Sequence, residues 1–446
     1  MLVRCRQAMS YSAARYKKSS ELLGQVMASS TAADGVVDRY FKAHRNMGST
    51  DRRFAAATVY GCLRRQRELL AMIEAIAPEL PDTDLTPAAL LVGMYLMVND
   101  AWSPDDFALT QFATFAAAHQ GAILAFDRSR LAPAERMNLP DWLYVPLAEQ
   151  LPVGDLEDLA QALSQVAAVD LRVNQRRGQR QQLLAELQSQ DIDTQFTELS
   201  DFGLRRMTRG PLQNTPAFKQ GWFEFQDEGS QLVSWLLQPQ AGEFIVDYCA
   251  GAGGKTLHIA DIMNNRGSIL ACDVAPRRLA QLQPRLQRAG IRNVTSRVLD
   301  PMVDDDLGDY AQTADAVLVD APCTGSGTLR RSPDIRWREA RLEELRQLQL
   351  QVLSNASQLV KAGGRLVYAT CSLLAEENQQ LVEAFLLANP GFAREGATFP
   401  EFDRTFTALH YQDAGLAERL QNVGELQLWP HRHNTDGFYA QVLRRH

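Results

Sequence analysis

From residue 243 to the end of the chain, short apolar segments alternate with segments of helical periodicity, and this alternation constrains the fold more than any other feature. Nearly continuous apolar runs separated by helices are typical of parallel strands buried on both faces. We predict strands at residues 244–248, 268–272, 295–299, 316–319, 365–369 and 437–443. The sequence therefore predicts an α/β fold with a doubly wound, mostly parallel sheet. The last strand follows a polar turn and is expected to close the edge of the sheet in the antiparallel direction.

The chain has 446 residues, and this length indicates two or three domains. Residues 19–125 place apolar side chains three or four positions apart, which predicts an all-helical unit with its clearest helices at 53–76 and 87–98. Residues 140–225 carry shorter segments and many turn residues, which predicts a small α+β module. The predicted domains are residues 1–135, 136–236 and 237–446.

Composition excludes several classes of protein. Hydrophobic residues make up 46% and charged residues 22% of the chain, and no apolar run reaches the roughly 18 residues that cross a bilayer. The six cysteines lack the paired spacing of zinc sites or of a disulfide framework. We therefore expect a soluble, cytoplasmic protein in a reducing compartment, with neither a metal nor a membrane as partner.

The net charge of −7 at first argues against a nucleic-acid partner, because contacts to phosphates supply most of such affinity. The charges are unevenly distributed, however, and basic stretches remain available for RNA. One acid-free stretch contains Arg277, Arg278, Arg285, Arg288, Arg292 and Arg297, and the predicted α+β module contains Arg176, Arg177, Arg180, Arg205, Arg206 and Arg209. Both RNA contact and a merely solvated face account for the arginines of the module.

A glycine-rich loop follows the first strand of the predicted α/β domain and runs into a helix. It consists of Cys249, Ala250, Gly251, Ala252, Gly253, Gly254, Lys255 and Thr256. Glycines at such a turn let the backbone approach a ligand at a helix N-terminus. A phosphate-binding P-loop is excluded, because Cys249 stands where that motif needs a glycine. Asp273 ends the second strand, where an acid binds the ribose hydroxyls of NAD and of S-adenosylmethionine alike. Asp300 follows the third strand, and it either contacts the adenine side of the ligand or is a helix cap or surface acid.

Two cysteines follow the fourth and fifth strands, where the carboxyl ends of a doubly wound sheet line the ligand crevice: Cys323 in residues 320–327 and Cys371 in residues 370–372. Carbon 5 of cytosine is a poor nucleophile, so an enzyme that methylates it first adds a thiolate to carbon 6. Only about 3% of an unperturbed thiol is ionised at pH 7, so a cation such as Lys255 should help. Asp320 is placed to hold the pyrimidine, and the second cysteine to assist elimination.

These residues resemble a known family, the RsmB/Nop/Sun class of RNA cytosine carbon-5 methyltransferases. The matching segments are DYCAGAGGKT at 247–256, CDVAPRRL at 272–279, DAPCTGSG at 320–327, RRSPDIRW at 330–337, YATCS at 368–372, EEN at 376–378 and TDGFYA at 435–440. The resemblance implies a Rossmann-like class I methyltransferase domain with Cys371 as the attacking thiol, Cys323 in product release and Asp320 on the base. It assigns S-adenosylmethionine to Cys249, Ala250, Gly251, Ala252, Gly253, Gly254, Lys255, Asp273, Asp300 and Asp320.

The resemblance is weaker outside this domain and departs from the family in one place. The helical unit is similar to the NusB-like domain of the bacterial RsmB-like branch, and the region from residue 140 is similar to that branch's RNA-binding linker module. This favours a bacterial small-subunit ribosomal RNA as substrate over transfer RNA. The family usually has Ala-Pro where this chain has Gly251 and Ala252, so we expect a looser loop there.

Two further classes compete with this interpretation. A DNA cytosine methyltransferase would use the cysteine after proline, here Cys323, as nucleophile and would need a Glu-Asn-Val element. In this chain Glu377 and Asn378 are followed by Gln379, which argues against that class. A noncatalytic RNA-binding assembly factor is the other alternative, against which the presence of Cys371, Cys323, Asp320 and Lys255 argues.

Overall fold

The computed structural model describes residues 2–79, 85–207, 210–300, 307–338, 341–399 and 403–446, with side chains from residue 10 onward. The internal contacts of the chain divide it into two compact units. The first comprises Met1–Gln165 and Leu329–Ala340, and the second comprises Val166–Thr328 and Arg341–His446. The division into three domains with boundaries near residues 135 and 236 stays a prediction.

The first unit contains eight α-helices among its described residues. They are α1 Leu2–Met27, α2 Ala33–Ala43, α3 Ser49–Ile76, α4 Pro87–Asn99, α5 Ala113–Leu124, α6 Pro133–Arg136, α7 Asp141–Gln150 and α8 Val153–Ser164. The start of α4 follows from local sequence, because Pro87 suits the first turn and the Thr86 hydroxyl accepts a hydrogen bond from the Ala89 amide. The predicted helical unit is confirmed, with its core around Leu22, Leu63 and Leu91.

A segment from much later in the chain completes the first unit. Pro333–Trp337 forms a 3-10 turn in which Arg336 is fully buried. The Arg336 guanidinium donates hydrogen bonds to the carbonyl oxygens of Leu163 at 2.8 Å and Arg64 at 2.7 Å. The Trp337 indole donates to the Leu63 carbonyl at 2.7 Å. In sequence these residues follow the predicted fourth strand of the α/β domain, yet their side chains pack in the helical unit.

The second unit begins with a small antiparallel sheet. Its strands are β1 Val169–Val173, β2 Thr194–Phe196, β3 Gly203–Arg206 and β4 Phe223–Phe225, in the order β2-β3-β1-β4. Its helices are α9 Arg180–Gln188, α10 Pro216–Lys219 and α11 Glu228–Leu236. Leu171, Leu183, Leu204 and Phe223 are buried between the sheet and helices α9 and α10, whereas α11 packs in the core of the large sheet that follows in the chain. The predicted α+β module is therefore confirmed.

The arginines predicted in this module have different environments. Arg205 is buried and makes a two-pronged ion pair with Asp170, at 2.7 and 2.9 Å. Arg180 is half-buried and pairs with Asp201 at 2.9 Å. Arg176 and Arg177 are exposed, whereas Arg209 lies outside the described residues. The basic patch is thus partly structural and partly solvent-facing.

A second, larger sheet follows. Its strands are β5 Phe244–Asp247, β6 Ser268–Asp273, β7 Val294–Val298, β8 Ala314–Asp320, β9 Val360–Thr370, β10 Phe392–Arg394, β11 Glu425–Leu428 and β12 Phe438–Arg445. Strands β7, β6, β5, β8 and β9 are neighbours in that order and run parallel. The helices are α12 Gly254–Ile262, α13 Pro276–Leu279, α14 Leu282–Ala289, α15 Leu342–Ser357, α16 Gln379–Ala388, α17 Arg404–Gln412, α18 Ala414–Val423 and α19 Pro430–His433.

The central parallel strands β5, β6 and β8 are covered on both faces, as continuous apolar runs predict, whereas the edge strand β7 is largely exposed. Alternate residues of one strand enter different cores: Ile269 and Ala271 face α11, α12 and α14, whereas Leu270 and Cys272 belong to the core that contains α15 and α16. Successive side chains of a strand point to opposite faces, so a strand covered on both faces is predominantly apolar along its whole length. The doubly wound α/β fold is confirmed.

One detail of the predicted sheet is wrong. Strand β12 is antiparallel to β9 as expected, but it does not form the edge, because β10 and β11 both pair with it. Both added strands are short, with three and four residues. Segments this short carry little periodicity, and their pairing partner lies elsewhere in the sequence, so they were not predicted.

Candidate active site

The carboxyl ends of β5, β6, β8 and β9 meet where the order of the parallel strands reverses. From β5 the chain continues outward to β6 and β7, and then returns to β8 on the other side of β5. Ligands of open α/β sheets bind at such a switch point. The glycine-rich loop after β5, Asp273 at the end of β6, Asp320 at the end of β8 and Cys371 after β9 all lie at this edge.

The backbone of the glycine-rich loop depends on two glycines. Gly251 and Gly253 have φ angles of +57° and +84°, a left-handed conformation that favours glycine. A Cβ at Gly253 would lie 2.2 Å from Leu282 Cδ1, and one at Gly251 would lie 2.7 Å from the Arg278 guanidinium. The glycine at 251 suits the left-handed backbone of this chain, whereas the Arg278 side chain is exposed and could move aside.

Hydrogen bonds anchor the loop at successive residues. The Gly251 amide donates to Asp273 Oδ2 at 2.7 Å, and the Ala250 amide donates to the Cys272 carbonyl at 2.7 Å. The Ala252 carbonyl accepts from Arg285 Nη1 at 2.7 Å. The loop is therefore held on both sides, and the expectation that its glycine makes it looser than the family's usual Ala-Pro stays a prediction.

Arg172, on strand β1 of the small sheet, is a support that sequence reasoning missed. Its side chain is buried, and Nη1 donates to the Gly254 carbonyl at 2.8 Å and to Gln226 Oε1 at 2.6 Å. Burial lowers the pKa of Arg172 to about 10, so the side chain still carries its charge near pH 7. Nothing in the local sequence distinguishes Arg172 from neighbouring surface arginines, because its partner lies 82 positions away.

Lys255 and Asp320 form an ion pair at this edge of the sheet. Lys255 Nζ lies 2.7 Å from Asp320 Oδ2 and 5.4 Å from the centre of the Phe438 ring. Burial alone would lower the pKa of Lys255, but the Asp320 carboxylate and the nearby Cys371 outweigh it and raise this pKa. The ammonium therefore stays charged beside both groups.

The two cysteines meet at the ends of the adjacent strands β8 and β9. Cys323 Sγ and Cys371 Sγ lie 3.4 Å apart, and both residues are partly buried. The neighbouring Cys371 thiol and burial together raise the pKa of Cys323 well above its usual value. The Cys371 carbonyl accepts a hydrogen bond from the Gly327 amide at 2.9 Å, which joins the two cysteine-bearing loops.

Glu377 is a second residue whose role sequence reasoning missed. Its carboxylate is fully buried and accepts hydrogen bonds from the Thr324 amide at 2.8 Å, the Thr324 hydroxyl at 2.6 Å and Gln349 Nε2 at 2.9 Å. The Ser372 hydroxyl donates to it as well. Thr324 follows Cys323 and Ser372 follows Cys371, so a single carboxylate holds both loops. Its place in the EEN segment was visible in the sequence, but its partners were not.

The residues of this edge fit S-adenosylmethionine. The Asp273 carboxylate, which is 6% exposed, holds the amides of Gly251 and Ala275 and retains acceptor capacity for ribose hydroxyls. A Cβ at Gly254 would meet nothing within 4 Å, so the start of α12 leaves open space for a ligand. Asp300 is exposed and lies two residues beyond the end of β7, beside residues 301–306, which are not described. Its contact with the donor stays a prediction.

Membrane-spanning helices and metal clusters are both absent from the part of the chain that the structure describes. None of its helices is both long and apolar enough to span a bilayer. Its His, Cys, Asp and Glu side chains do not gather in groups of three or more that could hold a metal ion.

Comparison with known proteins agrees with this geometry. Residues 234–444 match the family described as 16S rRNA methyltransferase RsmB/F, and residues 139–211 match the ferredoxin-like domain of RsmF/B-like methyltransferases. A Synechocystis protein named probable ribosomal RNA small subunit methyltransferase B is 30% identical, covering 92% of this chain and 95% of its own length. An Enterobacter protein named ribosomal RNA small subunit methyltransferase B is 37% identical, covering 55% of this chain and 57% of its own length.

Solved structures share the same fold. The crystal structure of PH0851 has a TM-score of 0.74 at 27% identity and covers 96% of this chain and 98% of its own. A methyltransferase homolog from Pyrococcus horikoshii has a TM-score of 0.58 at 26% identity and covers 72% of this chain and all of its own. The chain is an RNA methyltransferase with S-adenosylmethionine as its methyl donor. It belongs to the RsmB/F family of 16S rRNA methyltransferases.

Proposed function

We propose that this protein methylates carbon 5 of a cytosine in bacterial small-subunit ribosomal RNA, with Cys371 as covalent nucleophile. The observation that supports the chemistry best is the 3.4 Å approach of Cys371 and Cys323, beside the ion pair of Lys255 and Asp320. The names of the Synechocystis and Enterobacter relatives support the substrate.

In the first step, the Cys371 thiolate adds to carbon 6 of the cytosine. The new S–C6 bond shifts the ring electrons toward carbon 5, which becomes the nucleophile. Bound S-adenosylmethionine supplies an electrophilic methyl group. The proton that leaves the Cys371 thiol passes to the ring nitrogen, so that the Asp320 carboxylate can accept hydrogen bonds from the protonated ring nitrogen and from the exocyclic amine. The Lys255 ammonium, which pairs with Asp320, stabilises the negative charge of the attacking sulfur. Carbon 5 then attacks the methyl group, and S-adenosylhomocysteine leaves as the other product.

In the second step, Cys323 takes the proton from carbon 5, the S–C6 bond breaks, and Cys371 leaves as a thiolate that takes back the proton of the ring nitrogen. The Cys371 sulfur is the main cause that raises the pKa of Cys323 in the resting protein. Once that sulfur is bonded to carbon 6, it carries no negative charge, so the pKa of Cys323 should fall. To act as a base, Cys323 first gives its own proton to solvent water, and we infer that it does so only after the adduct has formed.

The test is methyl transfer from labelled donor to protein-free bacterial 16S rRNA, to 30S particles and to transfer RNA. Wild type is compared with Cys371→Ala, Cys323→Ala and, as a matched control, Cys62→Ala, whose thiol is buried in the helical unit. We expect Cys371→Ala to lose transfer and Cys323→Ala to accumulate a covalent protein–RNA adduct that migrates slowly on denaturing gels. Bisulfite sequencing of the product should locate one protected cytosine.

Several outcomes would contradict the proposal. Transfer that survives Cys371→Ala removes the nucleophile from the mechanism, and adduct formation through Cys323 instead would indicate the order used by DNA cytosine methyltransferases. If the label appears only in transfer RNA, the substrate is transfer RNA and not ribosomal RNA. RNA binding without transfer to any of the three substrates would favour a noncatalytic assembly factor.

A further inference from the structure

A pocket of about 280 Å³ lies in the second unit, away from the catalytic edge, and is lined by Arg176, Arg177, Asn265, Gly290 and Arg292. Three of its five lining residues are arginines and none is acidic. The guanidinium group binds phosphate well, because it is planar, permanently charged and offers several N–H donors. The lining therefore has the chemistry of an anion site.

The backbone around the pocket is fixed by hydrogen bonds that leave most of its charge free for a ligand. Asn174 Nδ2 donates to the carbonyls of Gly221 and Ala289 at 2.8 and 3.0 Å, and Arg176 Nη1 donates to the Gly290 carbonyl at 3.0 Å. The Arg292 amide donates to Asn265 Oδ1 at 2.9 Å. Across the described residues, the side chains of Arg177 and Arg292 make neither an ion pair nor a hydrogen bond with another residue.

Asp261 is an acid close to the pocket, and its oxygens already accept hydrogen bonds. They accept from the amides of Gln175 and Arg176 at 3.0 and 3.3 Å. Asp261 is buried, and burial raises its pKa. The Asp261 carboxylate therefore binds the backbone amides of Gln175 and Arg176, and it does not pair with the guanidinium groups of Arg177 and Arg292.

Gly290 keeps the pocket open. It ends α14 with a φ angle of +72°, and an added Cβ would lie 2.9 Å from Arg177 Nη2. A side chain at this position would be strained and would displace one of the guanidinium groups.

The pocket lies at the edge of the large sheet opposite to the cysteines. Asn265 precedes β6 and Arg292 precedes β7, so both belong to the amino ends of parallel strands, whereas Asp273 and Cys371 stand at carboxyl ends. Strand β6 has six residues, and at about 3.3 Å per residue the two edges are separated by about 20 Å. One nucleotide cannot contact both places.

We propose that this arginine pocket binds backbone phosphates of the RNA substrate, at nucleotides remote from the target cytosine. The proposal rests on the proposed function only in taking RNA as the ligand. Such a contact orients an RNA without reading its sequence, because phosphates carry no base information. It would also reconcile RNA binding with a net charge of −7, since the positive charge is concentrated where no acid lines the site.

The test is RNA affinity as a function of salt for Arg177→Gln/Arg292→Gln. The control is Arg404→Gln/Arg419→Gln, which removes the same charge from exposed arginines of α17 and α18. The probe is protein-free 16S rRNA, and all variants also carry Cys371→Ala, so that adducts cannot form. We expect the slope of log affinity against log salt to become shallower by about 0.7 for each phosphate that the variant no longer binds, with affinity at low salt at least about tenfold weaker. The control should match the parent protein in both.

Equal slopes for the pocket variant and the control would overturn the proposal. Competition by inorganic phosphate at millimolar concentration, with no effect of the variant on RNA affinity, would assign the pocket to a free anion and also overturn it. Binding is measured in the Cys371→Ala background, and methyl transfer is measured separately with wild-type Cys371. A changed slope together with no methyl transfer by the wild-type protein would uphold the pocket and refute the proposed activity. Methyl transfer by the wild-type protein together with an unchanged slope would support the proposed activity and refute the pocket.

Discussion

At the scale of single residues, Glu377 decides how the two cysteines face each other. Cys323 and Cys371 are 48 positions apart, and their loops are joined through one buried carboxylate that accepts four hydrogen bonds. Two of the four donors are N–H groups, the backbone amide of Thr324 and the side-chain amide of Gln349. Neither can turn toward another acceptor without losing its hydrogen bond to Glu377. A buried donor left without a partner costs about 1–3 kcal/mol. Glu377 is thus a positioning residue, because it acts on the reaction through the cysteines.

We therefore predict different outcomes for Glu377→Ala and Glu377→Gln. Alanine leaves the donors of Thr324 and Gln349 unsatisfied and should lower kcat for methyl transfer by about 10- to 100-fold, because small displacements of reacting groups have effects of that size. Glutamine keeps one oxygen for the two N–H donors, and the hydroxyls of Thr324 and Ser372 can rotate to accept from its amide. It should retain most of kcat.

The measurements are kcat, KM for RNA, donor affinity and melting temperature, with the adjacent Glu376→Ala as control. Glu376 makes none of the hydrogen bonds of Glu377. A loss in Glu377→Ala confined to melting temperature, with kcat unchanged at a temperature where the protein is folded, would reduce Glu377 to a structural residue.

At the scale of elements, the loop from β5 to α12 shows how a turn and a helix N-terminus form a ligand site. The left-handed conformation at Gly253 allows the backbone to turn sharply before α12 begins at Gly254. Three elements then hold the loop: β6 through Asp273, β1 through Arg172, and α14 through Arg285. The glycine motif in the sequence predicts the turn, whereas the hydrogen bonds that hold the loop come from elements far away in the chain.

Substitution of each of the neighbouring glycines, Gly253 and Gly254, by alanine should distinguish the effect of the loop conformation from the effect of the space left for a ligand. Gly253→Ala forces a non-glycine residue into the left-handed region, at about 1–2 kcal/mol, and brings its Cβ to 2.2 Å from Leu282 Cδ1. We expect it to lower the melting temperature by several degrees and to weaken donor binding. Gly254→Ala meets nothing within 4 Å and should leave the melting temperature within about 1 °C of wild type, since alanine also favours the helix.

Differential scanning fluorimetry and isothermal titration with S-adenosylmethionine would measure these effects. Equal stability of the two variants would show that the turn at Gly253 is not needed for the fold. Weaker donor binding in Gly254→Ala at unchanged stability would show that the donor approaches the helix start directly.

At the scale of the whole molecule, the chain passes from the second unit back into the first and returns. Leu329–Ala340 belongs to the first unit although residues on both sides of it belong to the second. Arg336, with no exposed surface, replaces the hydration of its guanidinium by hydrogen bonds to the carbonyls of Leu163 and Arg64. The helical unit is therefore incomplete without a segment that follows Cys323 in sequence.

Removal of this side chain should destabilise the helical unit. Arg336→Ala leaves two buried carbonyls without their donors and opens a cavity. We therefore expect the free energy of unfolding to fall by about 2–4 kcal/mol and proteolysis within the first unit to begin earlier. Arg338→Ala is the matched control, because Arg338 is 39% exposed and its partner Asp334 keeps the hydrogen bond from the Ala33 amide. Limited proteolysis with mass spectrometry would locate the first cleavage. Cleavage of wild type and Arg336→Ala at equal rates would contradict the assigned role.

The sequence by itself determined the fold class and the parallel strands, and it predicted the candidate residues of the glycine-rich loop and of the two cysteine-bearing strand ends. It could do so because these depend on local patterns: continuous apolar runs, a glycine turn before a helix, and cysteines directly after strands. Only the tertiary structure decided which partners hold those residues, as with Glu377 between the cysteine loops, Arg172 on the glycine-rich loop and Arg336 in the helical unit. The physical reason is that buried polar groups must find partners wherever the fold places them, often more than 50 positions away. No local pattern records such a distance.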